Sequence, residues 1–131
     1  MIKVKLIDAK RKLKSKIQRF IRGYSDEDVW AMDYWFLEIV PKMLRQLRDN
    51  SMGYPTNFKT KEEWHNELNK IIYYFEQANP DTMIEENEYA SDEKFVAQKF
   101  LEREYELNKK RDEMKNKGLD LFKEYFWELW D

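Results

Sequence analysis

The sequence has no cysteine, one histidine, three glycines and three prolines. Without cysteine there is no disulfide, no thiolate metal site and no cysteine nucleophile, a usage that fits a reducing cytosol. The isolated glycines at 23, 53 and 118 cannot form a Gly-rich phosphate loop. So few glycines and prolines also leave little material for hairpin turns. No apolar run approaches the roughly 18 residues needed to span a membrane. The amino terminus is basic but lacks the apolar stretch of a secretory signal. These absences predict a mature, soluble, intracellular protein.

The aromatics are plentiful: five Trp, eight Tyr and eight Phe in 131 residues. Each can bury roughly 150–250 Å², enough for a compact core. Length predicts a single domain over 1–131. A charged fraction of 38% suits a helical protein with long solvated faces. The net charge of −2 hides a split. Residues 1–22 carry nine Lys/Arg against one acid, Asp8, for +8, whereas residues 23–131 carry 15 Lys/Arg against 25 acids, for −10.

Periodicity points to helices throughout. In residues 2–21, Ile2, Leu6, Leu13, Ile17, Phe20 and Ile21 recur at helical spacing among Lys and Arg, a basic amphipathic helix. Gly23 is a good stop, and Arg19 and Arg22 suit the negative end of the helix dipole. Ser25 is the expected N-cap of a second helix. Ser25-Asp26-Glu27-Asp28 is close to a capping box, with Asp where Glu or Gln is usual. Two stripes follow it: Val29, Met32, Phe36, Val40, Met43 and Leu47, and beside them Trp30, Tyr34, Leu37 and Leu44. A helix apolar on so much of its circumference is expected to be central, kinked at Pro41 but not ended there.

After a loop at 50–57, Thr60-Lys61-Glu62-Glu63 opens a third helix with an apolar face of Trp64, Leu68, Ile71, Ile72 and Phe75. Residues 81–91 read as loop. A fourth helix is expected from near Ser91, its polar stretch Asn108–Lys117 leaving the body of the protein. It is expected to continue past Gly118 at a cost of roughly 1 kcal/mol against Ala. The fold class is therefore all-α, a compact bundle of four to five helices with a central aromatic-rich helix. Trp30, Phe36, Val40, Trp64, Leu68, Ile72 and Phe75 are its expected core.

Catalytic constellations are scarce. His65 follows Glu62 by three, the Glu-x-x-His arrangement of di-iron bundles, but such a site needs a second His. All-α nucleotide hydrolases hold magnesium with carboxylates three residues apart. The chain has two such pairs, Glu85/Glu88 and Glu128/Asp131, where about five arise by chance. The acids at 26–28 spoil the helix start after Gly23 as an anion site. No catalytic residue, metal ligand or cofactor is assigned. The basic helix could instead hold nucleic acid or anionic lipid, or pack on the acidic body of its own chain or a neighbour's. The aromatics of the second helix and the carboxyl end could stack bases, although at helical spacing they suit a core. Trp130 either docks on the body or meets a partner. The candidate partner-binding residues are Arg11, Lys12, Lys16, Arg19, Arg22, Tyr24 and Trp130.

The segment Arg22-Gly-Tyr-Ser-Asp-Glu-Asp-Val-Trp-Ala-Met-Asp33 and the later Pro41-Lys-Met-Leu44 resemble a group of small bacteriophage proteins of no assigned activity. Gly53-Tyr-Pro55, Glu63-Trp64, Ile71-Ile-Tyr-Tyr-Phe-Glu76 and Gly118-Leu-Asp-Leu-Phe122 follow in the same order. The resemblance implies a phage or prophage origin and action in the bacterial host cytoplasm. The expected function is that of a non-catalytic phage accessory protein binding a host or phage macromolecule. A protein partner is favoured, nucleic acid is possible through residues 2–22, and a homo-oligomer is possible. The alternatives are a magnesium-dependent all-α nucleotide hydrolase and a small-nucleotide binder using Arg22, Tyr24 or Trp30.

Overall fold

The computed structural model describes residues 2–131. The described residues are all-α: five helices, two 3₁₀ turns and no strand. The helices are α1 (Ile2–Arg22), α2 (Asp26–Trp30), α3 (Met32–Asn50), α4 (Lys61–Ala78) and α5 (Ala97–Glu124). The chain groups into two compact units, Met1–Phe36 and Leu37–Asp131. The division falls inside α3 and not at the charge switch after residue 22.

In the first unit, Gly23 ends α1 with φ at 89° and donates its N–H to the Arg19 carbonyl at 2.9 Å. That left-handed conformation is one a side chain would resist. Ser25 then caps α2. Asp28 N donates to Ser25 Oγ at 3.1 Å, and Ser25 N donates to Asp28 Oδ2 at 2.9 Å. The short Asp thus completes a reciprocal capping box. At Thr60, where the sequence predicts the fuller box, Glu63 N donates to Thr60 Oγ1 but the Glu63 carboxylate accepts from Lys59 N.

Residues 25–50 do not form one helix. The interruption lies at Ala31 (φ −134°, ψ 59°), and α3 runs on through Pro41 to Asn50. α2 is tied to α1 by ion pairs from Arg11, Arg19 and Arg22. The break also turns side chains outward: Val29, Trp30, Met32 and Tyr34 are exposed, Trp30 by 77%. Trp30 is therefore not a core residue, and Phe36 and Val40 are only half-buried.

The second unit is a helical bundle in which the central, aromatic-rich helix is α4, not the 25–50 helix. Trp64, Leu68, Ile71, Ile72, Phe75 and Ala78 of α4 are buried, while α3 buries only Pro41 and Leu44. α4 packs along α5. Phe58, Trp64 and Tyr125 form a ring cluster with centroids 5.2–5.7 Å apart. Arg45 and Arg48 of α3 reach Glu76 and Asn69 of α4.

α5 starts at Ala97, six residues after the expected Ser91. Asn87 organises the segment before it. Its side chain caps the 3₁₀ turn Glu88–Ala90 through Tyr89 N and donates to the Phe100 carbonyl and Glu104. The polar stretch of α5 does not leave the bundle. Leu107, Arg111, Met114 and Gly118, spaced four, three and four apart, are buried or half-buried in turn. The helix is continuous through Gly118.

Candidate functional site

Six of the seven residues singled out from sequence, Arg11, Lys12, Lys16, Arg19, Arg22 and Tyr24, lie in the first unit, and Trp130 lies in the second. The residues thus divide between two surfaces.

The first unit carries nine Lys/Arg against five acids, a net +4. Its arginines are engaged by the acidic first turn of α2. Arg19 makes a bidentate pair with Asp28, at 3.0 Å from Nε to Oδ2 and 2.7 Å from Nη2 to Oδ1. Arg22 donates to Asp26 and to the Tyr24 carbonyl, and its guanidinium lies 4.6 Å from the Tyr24 ring centre. Arg11 pairs with Glu27 at 3.1 Å and with Asp8 at 3.5 Å. Gln18 and Asp26 exchange two hydrogen bonds of 2.9 Å. The Arg19 guanidinium, helped by Ser25, holds the Asp28 carboxyl well below the usual carboxylate range despite its burial. Arg22 and then Gln18 lower Asp26 likewise. A phosphate approaching Arg19 or Arg22 meets a guanidinium whose charge is already paired with a carboxylate. Lys12 and Lys16 are exposed and make no ion pair among the described residues.

The second unit carries a groove of about 690 Å³. Val40, Met43, Leu44 and Leu47 of α3 line one side, and Phe122, Phe126, Trp127 and Trp130 line the other. Trp127 is 83% exposed and Trp130 74%. The Ser51 hydroxyl lines the same groove, buried and without a hydrogen-bond partner. Asp131 Oδ1 accepts from Met52 N at 3.2 Å beside it. Trp130 was legible from sequence, but Trp127 and Met43 were not. Met43 reads as core by periodicity, and the 3₁₀ turn Phe126–Glu128 takes Trp127 off the helical register.

Of the carboxylates spaced for a metal, Glu85 and Glu88 are engaged by cations and Asp131 by the Met52 N–H. Glu85 is bound by Lys110 at 2.7 Å and by Arg103, and Arg103 also holds Glu88 at 3.0 Å. Lys110 and then Arg103 lower the Glu85 pKa. Among the described residues, no group of three or more His, Asp or Glu could hold a metal ion. His65 is half-buried, with Nε2 lacking a hydrogen-bond partner. No helix among the described residues is long and apolar enough to cross a membrane.

No protein-family model matches the chain, and no curated protein or solved structure matches it.

Proposed function

We propose that the chain is a non-catalytic phage accessory protein that acts in the host cytoplasm by binding a host or phage protein, and that the groove of the second unit is the binding surface. The observation that carries this reading is the pair Trp127 and Trp130, both largely exposed on one wall of an apolar groove. Tryptophan is the residue type most enriched among the few side chains that dominate protein interfaces. The facing wall offers Val40, Met43, Leu44 and Leu47 along α3, the spacing at which a helix face meets an amphipathic segment. The unpartnered Ser51 hydroxyl gives an incoming segment one polar contact to make.

The resemblance to phage proteins supplies the biological setting. One of the two carboxylate pairs spaced for a magnesium hydrolase, Glu85 and Glu88, is neutralised by Arg103 and Lys110. Of the residues that a small-nucleotide binder would use, Arg22 is engaged by Asp26 and by the Tyr24 ring, whereas Trp30 is open to solvent. These engagements favour the binding reading over its alternatives.

The test is co-purification of the tagged chain from bacterial cells, repeated with Trp127→Ala and Trp130→Ala together. A protein retained by the parent chain and lost from the double variant supports the proposal, with each tryptophan expected to contribute about 2 kcal/mol or more. Both side chains are exposed, so the variant should fold as the parent does. Equal retention by the two would refute the groove as the binding surface.

A further inference from the structure

The cations of α1 are segregated by type. Its three arginines, Arg11, Arg19 and Arg22, lie on the face that meets α2, together with Asp8, Gln18 and the buried Ser15. The opposite face is the stripe Ile2, Leu6, Ala9, Leu13, Ile17 and Phe20. Every one of these residues is exposed, and Phe20 is 93% exposed. Lysines flank the stripe on both sides: Lys5, Lys12 and Lys16 along one edge, and Lys3, Lys10 and Lys14 along the other. Of the six, only Lys14 has an ion-pair partner among the described residues, Asp26 at a loose 3.9 Å.

We propose that α1 lies in the surface of an anionic phospholipid bilayer, its apolar stripe among the acyl chains and its two lysine edges at the headgroups. A long helix of strong amphipathicity and low mean hydropathy, with lysines beside an apolar stripe, is the form that lies in a bilayer interface. Lysine is a point charge on a flexible stem with no directional demand, and it extends along an apolar surface to reach the headgroups. The fork-shaped arginines are spent on directed contacts within the protein. The three acids of α2 cover the face away from the stripe, so they do not oppose a negatively charged surface.

The same geometry disfavours the other occupants. Pairing with α1 of a second copy sets lysine edges against lysine edges, which is repulsive. A nucleic acid would satisfy the lysines and leave the stripe in water.

The experiment uses the full chain with vesicles of phosphatidylcholine alone, or of roughly equal parts phosphatidylcholine and phosphatidylglycerol, at about 0.1 M salt. The chain should float with the anionic vesicles and not with the neutral ones. Lys5, Lys12 and Lys16 changed together to Gln should weaken binding about a hundredfold. Leu13→Gln with Phe20→Gln should weaken it at least about tenfold with every charge kept. Because the chain lacks cysteine, a polarity-sensitive dye can be placed by Phe20→Cys on the stripe, or by Val4→Cys on the other face. Only the first should report an apolar environment. Failure to bind anionic vesicles would overturn the proposal, as would a stripe variant that binds as well as the parent. A dye response at both positions or neither would also refute it. So would association of the chain through the stripe into dimers that ignore vesicles, because the stripe would then be covered by protein.

Discussion

Gly118 faces the ring of Phe75 so closely that a β-carbon added there would lie 2.6 Å from Cε1 and 2.7 Å from Cδ1. Phe75 is fully buried in α4, so its ring cannot swing into solvent without losing that burial. Glycine inside α5 is the condition for α4 and α5 to meet at this level. Gly118→Ala should therefore destabilise the protein by about 1–2 kcal/mol, although alanine is the better helix former by about 1 kcal/mol. The urea midpoint measures this. In a Phe75→Leu background the same substitution should cost less, since the obstructing ring is gone.

The Asp28 carboxyl is held below its ordinary range by Arg19 and Ser25. A group depressed in this way contributes stability above its unfolded pKa, near 3.8, and loses it as the pH falls from there. Asp28→Asn should cost about 2 kcal/mol at neutral pH through the weakened cap and lost pair. It should also flatten the acid dependence of the first unit. Helicity followed by circular dichroism down the pH scale should show the parent approaching the variant below about pH 4. Parallel curves at every pH would refute the assignment.

Burial, with Glu67 and Glu124 nearby, pushes the Tyr125 hydroxyl up to about 12. Here the sign is opposite. The neutral form is favoured by the fold, so its contribution is complete below the ordinary value near 10 and is lost as the pH rises towards 12. Tyr125→Phe keeps a ring against Phe58 and Trp64 but cannot ionise. Its thermal midpoint should fall less steeply than that of the parent over that alkaline window.

Two tryptophans separate the observed core from the one periodicity suggests. Trp64 is 2% exposed, so Trp64→Ala should cost about 3–5 kcal/mol. Trp30 is open to solvent, so Trp30→Ala should stay within about 0.5 kcal/mol. Similar urea midpoints for the two variants would contradict the described burial.

The local signals were legible because their physics is local. Gly23, Ser25 and Thr60 act within a few residues, and each stands at the helix boundary it marks. The face of α4 was legible because its apolar positions keep strict helical spacing from Trp64 to Phe75. What could not be read was which helix the others cover, since α3 and α4 carry comparable stripes. The break at Ala31 was hidden for another reason: no glycine or proline stands there, and the contact that ties α2 to α1, Arg19 to Asp28, spans nine residues. Glu85 and Lys110 are twenty-five residues apart, so nothing in the sequence shows that the metal-like spacing at 85 and 88 is neutralised. The α1 stripe was plain in the sequence, and the separation of arginine from lysine became meaningful once α2 was seen to occupy only the arginine side.

The rings of Phe75, Phe122, Phe126 and Trp127 stand in series, with centres 5.9, 5.7 and 5.1 Å apart. The series runs from a fully buried residue to one of the most exposed. Groove and helix seam therefore share a continuous column of ring contacts. A segment that clamps Trp127 is thus expected to slow amide exchange around Gly118, and exchange there that ignores a bound segment would show the rings to be separate contacts.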